Sequence, residues 1–181
     1  MKKLSKIILL LIFFSTLYSC QQLNENLSEV IIKLPLKKSI IIPDSLSGSN
    51  QIEVWHEDII NINVDSIILA NNLRKFNRVD ISELSVSVPP SENGNNLGFI
   101  EKIRITISEN NTFEKEVVIA EAFRFQPNDT EKYLDIITGD ISSFIQHHER
   151  FYFRLYGKRH NSSIITHEKL RLNGKLQFFM E

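Results

Sequence analysis

The sequence predicts a mainly β protein: an antiparallel β-sandwich of about eight or nine strands with one or two short helices. Three observations lead there. Apolar residues alternate with polar ones in many short runs, the period of a half-buried strand. The chain holds 26 Ile against 3 Ala, and a branched Cβ favours the pleated sheet over the helix. Most connecting segments are also shorter than the dozen or so residues a parallel crossover needs.

The elements follow in order. Val30, Ile32 and Leu34 alternate, and Pro35 is expected to end that run. Ile40-Ile41-Ile42 is a short apolar run stopped by Pro43, and 44–50 reads as a loop. Ile52, Val54, Ile60, Ile62 and Val64 share one parity. A helix is expected next, capped by Asp65 or Ser66, with Leu69, Leu73 and Phe76 at helical spacing. Leu84, Val86 and Val88 then alternate up to Pro89-Pro90, followed by a turn-rich loop containing Asn93-Gly94.

Phe99, Ile103, Ile105 and Ile107 form the clearest alternation in the chain. Glu109-Asn110-Asn111-Thr112 reads as a hairpin turn, from which Val117, Ile119, Phe123 and Phe125 return on one face. After the turn at Pro127-Asn128-Asp129, a short strand is expected over 133–138. Asp140 caps a helical turn that sends Ile141, Phe144 and Ile145 inward. Phe151, Phe153 and Leu155 alternate with Tyr152, Arg154 and Tyr156, and 157–163 is read as a turn. Leu170, Leu172, Leu176 and Phe178 close the chain, with Gly174 suggesting a bulge or weak point.

The N-terminus is of another kind. Lys2, Lys3 and Lys6 precede an apolar run from Ile7 to Phe14, followed by Leu17-Tyr18-Ser19-Cys20. A charged start, a short apolar core and a small residue at the end are the parts of an export signal. The apolar run falls short of the roughly 20 residues of a membrane span. The chain's one cysteine stands directly after this segment. That arrangement resembles the lipobox of bacterial lipoproteins, over residues 1–20 alone. The resemblance implies cleavage before Cys20, a diacylglyceryl group on its sulfur and an acyl chain on its new amine. More than one chain anchors a protein stably, whereas one does so marginally. In such lipoproteins Asp after the cysteine often retains the protein at the inner membrane, so Gln21 leans towards the outer membrane.

The expected organisation is a leader over 1–19, an acylated Cys20 with a polar tether to residue 29, and a single sandwich domain over 30–181. Loss of the leader changes the balance from 21 basic and 22 acidic residues to 18 against 22. This argues against a nucleic-acid partner, which favours a basic excess.

Catalytic motifs are absent. There is no Gly-x-Ser-x-Gly elbow, no His-Glu-x-x-His pair and no phosphate-binding glycine loop. No cofactor is expected. The histidines, His56, His147, His148, His160 and His167, are not spaced as a metal site. His147 and His148 point apart, and His160 with His167 leaves a set two ligands short.

Two groups remain as candidate binding residues. His56 and Asp58 share the parity of Ile60 and Ile62, so a continuous strand points both at the core, where an unpartnered pair is costly. A bulge or tight turn at 55–58 is the plainer alternative. Tyr152, Arg154 and Tyr156 lie on the polar side of one strand, where rings beside a planar cation can form a sugar- or peptide-binding strip.

The lipobox resemblance, set beside the missing catalytic motifs, implies a membrane-anchored envelope protein that binds a protein or glycan without catalysis. An envelope glycan or peptide hydrolase using His56 and Asp58 is one alternative. A structural subunit of a surface fibre, joined by strand addition, is the other.

Overall fold

The structure is a computed structural model that describes residues 30–42, 51–89, 96–146, 150–160 and 169–180. The expected leader over 1–19, Cys20, the expected tether to residue 29, the expected loop over 44–50, Asn93-Gly94, His147, His148 and His167 lie outside the described residues.

Among the described residues nine strands and two short helices follow one another. They are β1 (Val30–Ile41), β2 (Glu53–Asn61), α1 (Val64–Ala70), β3 (Phe76–Ser87), β4 (Ile100–Ser108) and β5 (Val117–Phe123). Then come β6 (Glu131–Tyr133), β7 (Asp135–Ile136), α2 (Ser142–Gln146), β8 (Arg150–Arg159) and β9 (Lys169–Met180). They form two sheets, ordered β1-β9-β3-β6 and β2-β8-β4-β5-β7. Every pairing is antiparallel. The mainly β, antiparallel expectation is therefore what the chain forms.

The core lies between the sheets. Ile103, Ile105 and Ile107 of β4 and Phe151, Phe153 and Leu155 of β8 meet Val79, Leu84 and Val86 of β3 and Leu170, Leu172 and Phe178 of β9, all buried. Each set alternates with outward residues along its strand, so one face of each sheet is removed from water.

Several elements differ from the sequence expectation, each for a local reason. Pro35 does not end β1, which continues to Ile41 beside β9. β1 is an edge strand, and a residue without an N–H is tolerated there. Ile40 is therefore part of the same strand and not a separate run.

Helix α1 is capped by Asn63, whose side chain accepts the Ser66 N–H at 2.7 Å. It stops before Phe76 because Asn72 takes a left-handed φ of 53°. The Leu73 N–H then bonds the Ile68 carbonyl at 3.0 Å and the Asn72 N–H bonds that of Leu69 at 3.3 Å. This paired closure ends a helix, and Asn is one of the few residues that accept its backbone angle. Val64, Ile67 and Ile68 pack on the core, while Leu69 is exposed and Phe76 opens β3.

Bulges account for the parity errors. Ile105 pairs with Ala120 and Thr106 with Val118, leaving Ile119 as an extra residue in β5. Beyond it Ala120 and Ala122 face the core, and Phe123 turns outward. The bulge expected at Gly174 lies in the neighbouring strand, where Ser82 is extra between Ile81 and Glu83.

The expected strand over 133–138 is two strands in two sheets. β6 joins β3, β7 joins β5, and the chain crosses between them at buried Leu134. Nor does Gly157 begin a turn. β8 runs through it to Arg159, pairing Gly157 with Glu53 on one side and Ile103 on the other.

Candidate functional site

His56 and Asp58 sit on β2, the edge strand of the five-stranded sheet. The stretch is not split in two. It stays one strand and carries a bulge at Trp55, between the pairs Val54–Tyr156 and His56–Leu155. The bulge buries Trp55 and leaves His56 and Asp58 half-buried on the inward side.

Asp58 is met there from the opposite sheet. Lys38 of β1 donates to its carboxylate at 2.5 Å and to the Ile59 carbonyl at 3.3 Å. The Ile59 N–H adds a bond to the same carboxylate at 2.7 Å. Burial raises the Asp58 pKa, but the Lys38 bond, the Ile59 N–H and the nearby cations outweigh it, and the net shift is downward. His56 tilts against Phe153, with ring centroids 5.8 Å apart. Its Nε2 is buried without a hydrogen-bond partner among the described residues. Burial lowers its pKa; Asp58 acts against this, and Lys38 adds to it. The trio thus joins the two sheets at one margin of the sandwich by a charge pair, with the half-buried imidazole behind it.

Tyr152, Arg154 and Tyr156 lie on the outer side of β8, as expected, but they do not form an open strip. The segment between β4 and β5 folds over them. Phe113, with φ 54°, sets its ring 3.7 Å from the Arg154 guanidinium and edge-on to Tyr152. Arg154 donates to Glu57 at 2.7 Å and to the Tyr156 hydroxyl at 3.0 Å. The Tyr156 hydroxyl donates in turn to Glu116, at 2.8 Å, and Thr106 donates to the same carboxylate at 2.8 Å. Arg154 is left 19% exposed. Each of its guanidinium nitrogens meets Glu57 or Tyr156 and its flat face lies on Phe113, so the cluster clamps the β4–β5 connection to the sheet.

An open concave surface lies elsewhere among the described residues, and no sequence motif points to it. A groove of about 1160 Å³ runs along the other end of the five-stranded sheet, from the start of β4 and end of β5 to β6, β7 and the end of β8. Phe123 and Tyr133 stand in it 46% and 60% exposed. Phe123 is outward only because of the Ile119 bulge. The Lys102 ammonium holds that ring at 4.4 Å and pairs with Glu121 at 3.2 Å. Burial raises the Glu121 pKa, but Arg104 and Lys102 pull it below the ordinary carboxylate value. Lys158 pairs with Glu101 at 2.7 Å on the same wall.

The chain matches no family model. No curated protein matches it either. Among solved structures, it is similar to the decameric BFDV capsid protein at 11% identity, over 84% of this chain and 98% of that one, with a TM-score of 0.35. It is similar to Desmodium yellow mottle tymovirus at 9% identity, over 83% and 87%, with a TM-score of 0.26. At these scores neither likeness bears on what the chain does.

Among the described residues no helix is long and apolar enough to cross a membrane. None of them form a group of three or more metal-ligating side chains.

Proposed function

We propose that this chain is an envelope lipoprotein, held at a membrane by acylated Cys20, whose sandwich binds a protein or glycan partner without transforming it. The observation that carries the binding part is the groove at the β4–β5–β6 end. Two aromatic rings stand exposed there in a concave surface walled by charged side chains. Exposed rings beside polar groups are how ligand sites gain both contact area and orientation. The anchoring part rests on the lipobox resemblance of residues 1–20, and outer-membrane placement rests on Gln21.

A hydrolase reading is less well supported. Asp58 is engaged by Lys38 and the Ile59 N–H. The His56 Nε2 faces protein and not an open cleft.

The test is capture of partners from membranes by the lipidated protein, set beside a Phe123→Ala/Tyr133→Ala double variant. Recovery of a partner by the native chain and its loss in the variant support the reading. Equal recovery by both removes the groove from it.

A further inference from the structure

We infer that the groove takes an uncharged oligosaccharide, an inference that rests on the binding role proposed above and names its ligand class. The charges of the groove decide between ligand classes. Its formal cations are Lys102, Arg124, Lys132 and Lys158, and its acids are Glu101, Asp129, Glu131 and Asp135. Four stand against four, so the walls carry no net sign. A polyanion or a polycation gains nothing from such a surface, because each favourable contact is matched by a repulsive one. A neutral polyol does gain, since its hydroxyls donate to carboxylates and accept from ammonium groups with charge-assisted bonds.

The rings fit the same ligand. The two faces of a pyranose differ in polarity, and the C–H face lies flat on an aromatic ring. Phe123 and Tyr133 are the two large apolar side chains that the groove leaves open. Phe123 is presented in a fixed orientation, because Lys102 lies over its ring at 4.4 Å and is itself tied to Glu121. A preset ring loses little freedom on binding. At about 1160 Å³ the groove slightly exceeds the usual range for a small-molecule site, so it suits several linked rings better than one. β6 and β7 are the outer strands of their sheets and line the groove, so an extended peptide held by main-chain bonds is the competing occupant, and the decapeptide comparison separates it from a sugar.

The experiment uses the mature lipidated chain in detergent micelles, titrated calorimetrically with tetramers of N-acetylglucosamine, glucose and mannose. A galacturonic acid tetramer and an acidic decapeptide serve as comparisons. Phe123→Ala and Tyr133→Ala are measured beside the native chain, with Trp55 emission confirming that each is folded. The expected result is binding of at least one neutral tetramer, weakened about tenfold or more by each substitution and unchanged between low and high salt. Three results overturn the inference: no neutral tetramer binds, the acidic oligomers bind better, or both variants keep native affinity. If the tetramers fail while groove-dependent capture of a membrane partner persists, the ligand class falls and the binding role stands. If that capture is also independent of the groove, both fall.

Discussion

Gly157 is the residue whose replacement tests the packing most sharply. A Cβ built on it lies 2.1, 2.2 and 2.3 Å from Cε2, Cδ2 and Cε3 of Trp55. Carbon atoms rest at about 3.5–4.0 Å, so Gly157→Ala requires a relative retreat of roughly 1.4 Å. Neither partner moves freely. Gly157 is laddered to β2 on one side and β4 on the other. Trp55 is 3% exposed and stacks on Phe99 with centroids 6.4 Å apart. Overpacking of this kind costs about 1–3 kcal/mol, and three ring atoms in conflict place it at the upper end. The backbone benefit of Ala over Gly returns about 0.5–1 kcal/mol, leaving a net loss of about 2 kcal/mol.

Trp55→Ala alone should cost about 3–5 kcal/mol by opening a cavity. In that background the new methyl enters vacated space, so the double variant should be at least as stable as Trp55→Ala. The cycle therefore shows a coupling of about 2 kcal/mol or more, with the sign of mutual rescue. Urea unfolding followed by far-ultraviolet circular dichroism measures all four proteins. Emission of the one tryptophan in the chain reports its displacement in the Gly157→Ala protein. Additive losses in the double variant refute the close contact. So does a Gly157→Ala protein within about 0.5 kcal/mol of the native one and with unchanged emission.

Two further predictions concern the charged clusters. Burial lowers the pKa of His56 from its ordinary 6.5, so the unfolded chain holds that proton more readily than the folded one. Stability from this group is full above about pH 6.5 and declines as pH falls from there towards the lower folded value. Asp58 acts in the same direction at more acidic pH, below its ordinary 3.8. Urea midpoints should fall between pH 7.5 and 5.5, and His56→Leu should flatten that slope; an equal slope in the variant refutes it. Arg154→Lys should cost about 1–2 kcal/mol, because an ammonium cannot bond Glu57 and Tyr156 while lying flat on Phe113. It should also raise amide exchange in the β4–β5 segment, and unchanged exchange there refutes the clamp.

What the sequence revealed follows from how information is written along a strand. Ile103 to Ile107 and Phe151 to Leu155 alternate without interruption, so their inward faces were legible. Trp55, Ser82 and Ile119 are extra residues with no local composition signal, and each reverses the parity beyond it. That is why simple alternation points Phe123 inward and hides Ala120 and Ala122 as core residues. Pro35 looks like a stop in the sequence because its tolerance depends on β1 being an edge strand, which only the sheet order reveals. Asn71-Asn72 did carry the signal that ends α1, but the apolar spacing of Leu73 and Phe76 masked it.

The same division holds for the sites. The parity of His56 with Asp58 was visible, whereas Lys38 arrives from the other sheet. The Tyr152-Arg154-Tyr156 row was visible, whereas Phe113 and Glu116 close over it from a separate connection. The groove draws on five strands from both sheets, so no single stretch of sequence announces it.

Anchoring through Cys20 is the claim on which the rest of the functional account stands, because a partner in the envelope presupposes a protein held there. The direct measurement is the mass of the protein extracted from bacterial membranes, with fragmentation of its N-terminal peptide. The account predicts a chain that begins at Cys20, has lost residues 1–19, and carries a diacylglyceryl group on sulfur with an acyl chain on the amine. In Cys20→Ser the acyl mass disappears and the protein leaves the membrane fraction. A native protein that keeps its first nineteen residues, or that begins elsewhere without acyl mass, contradicts the account.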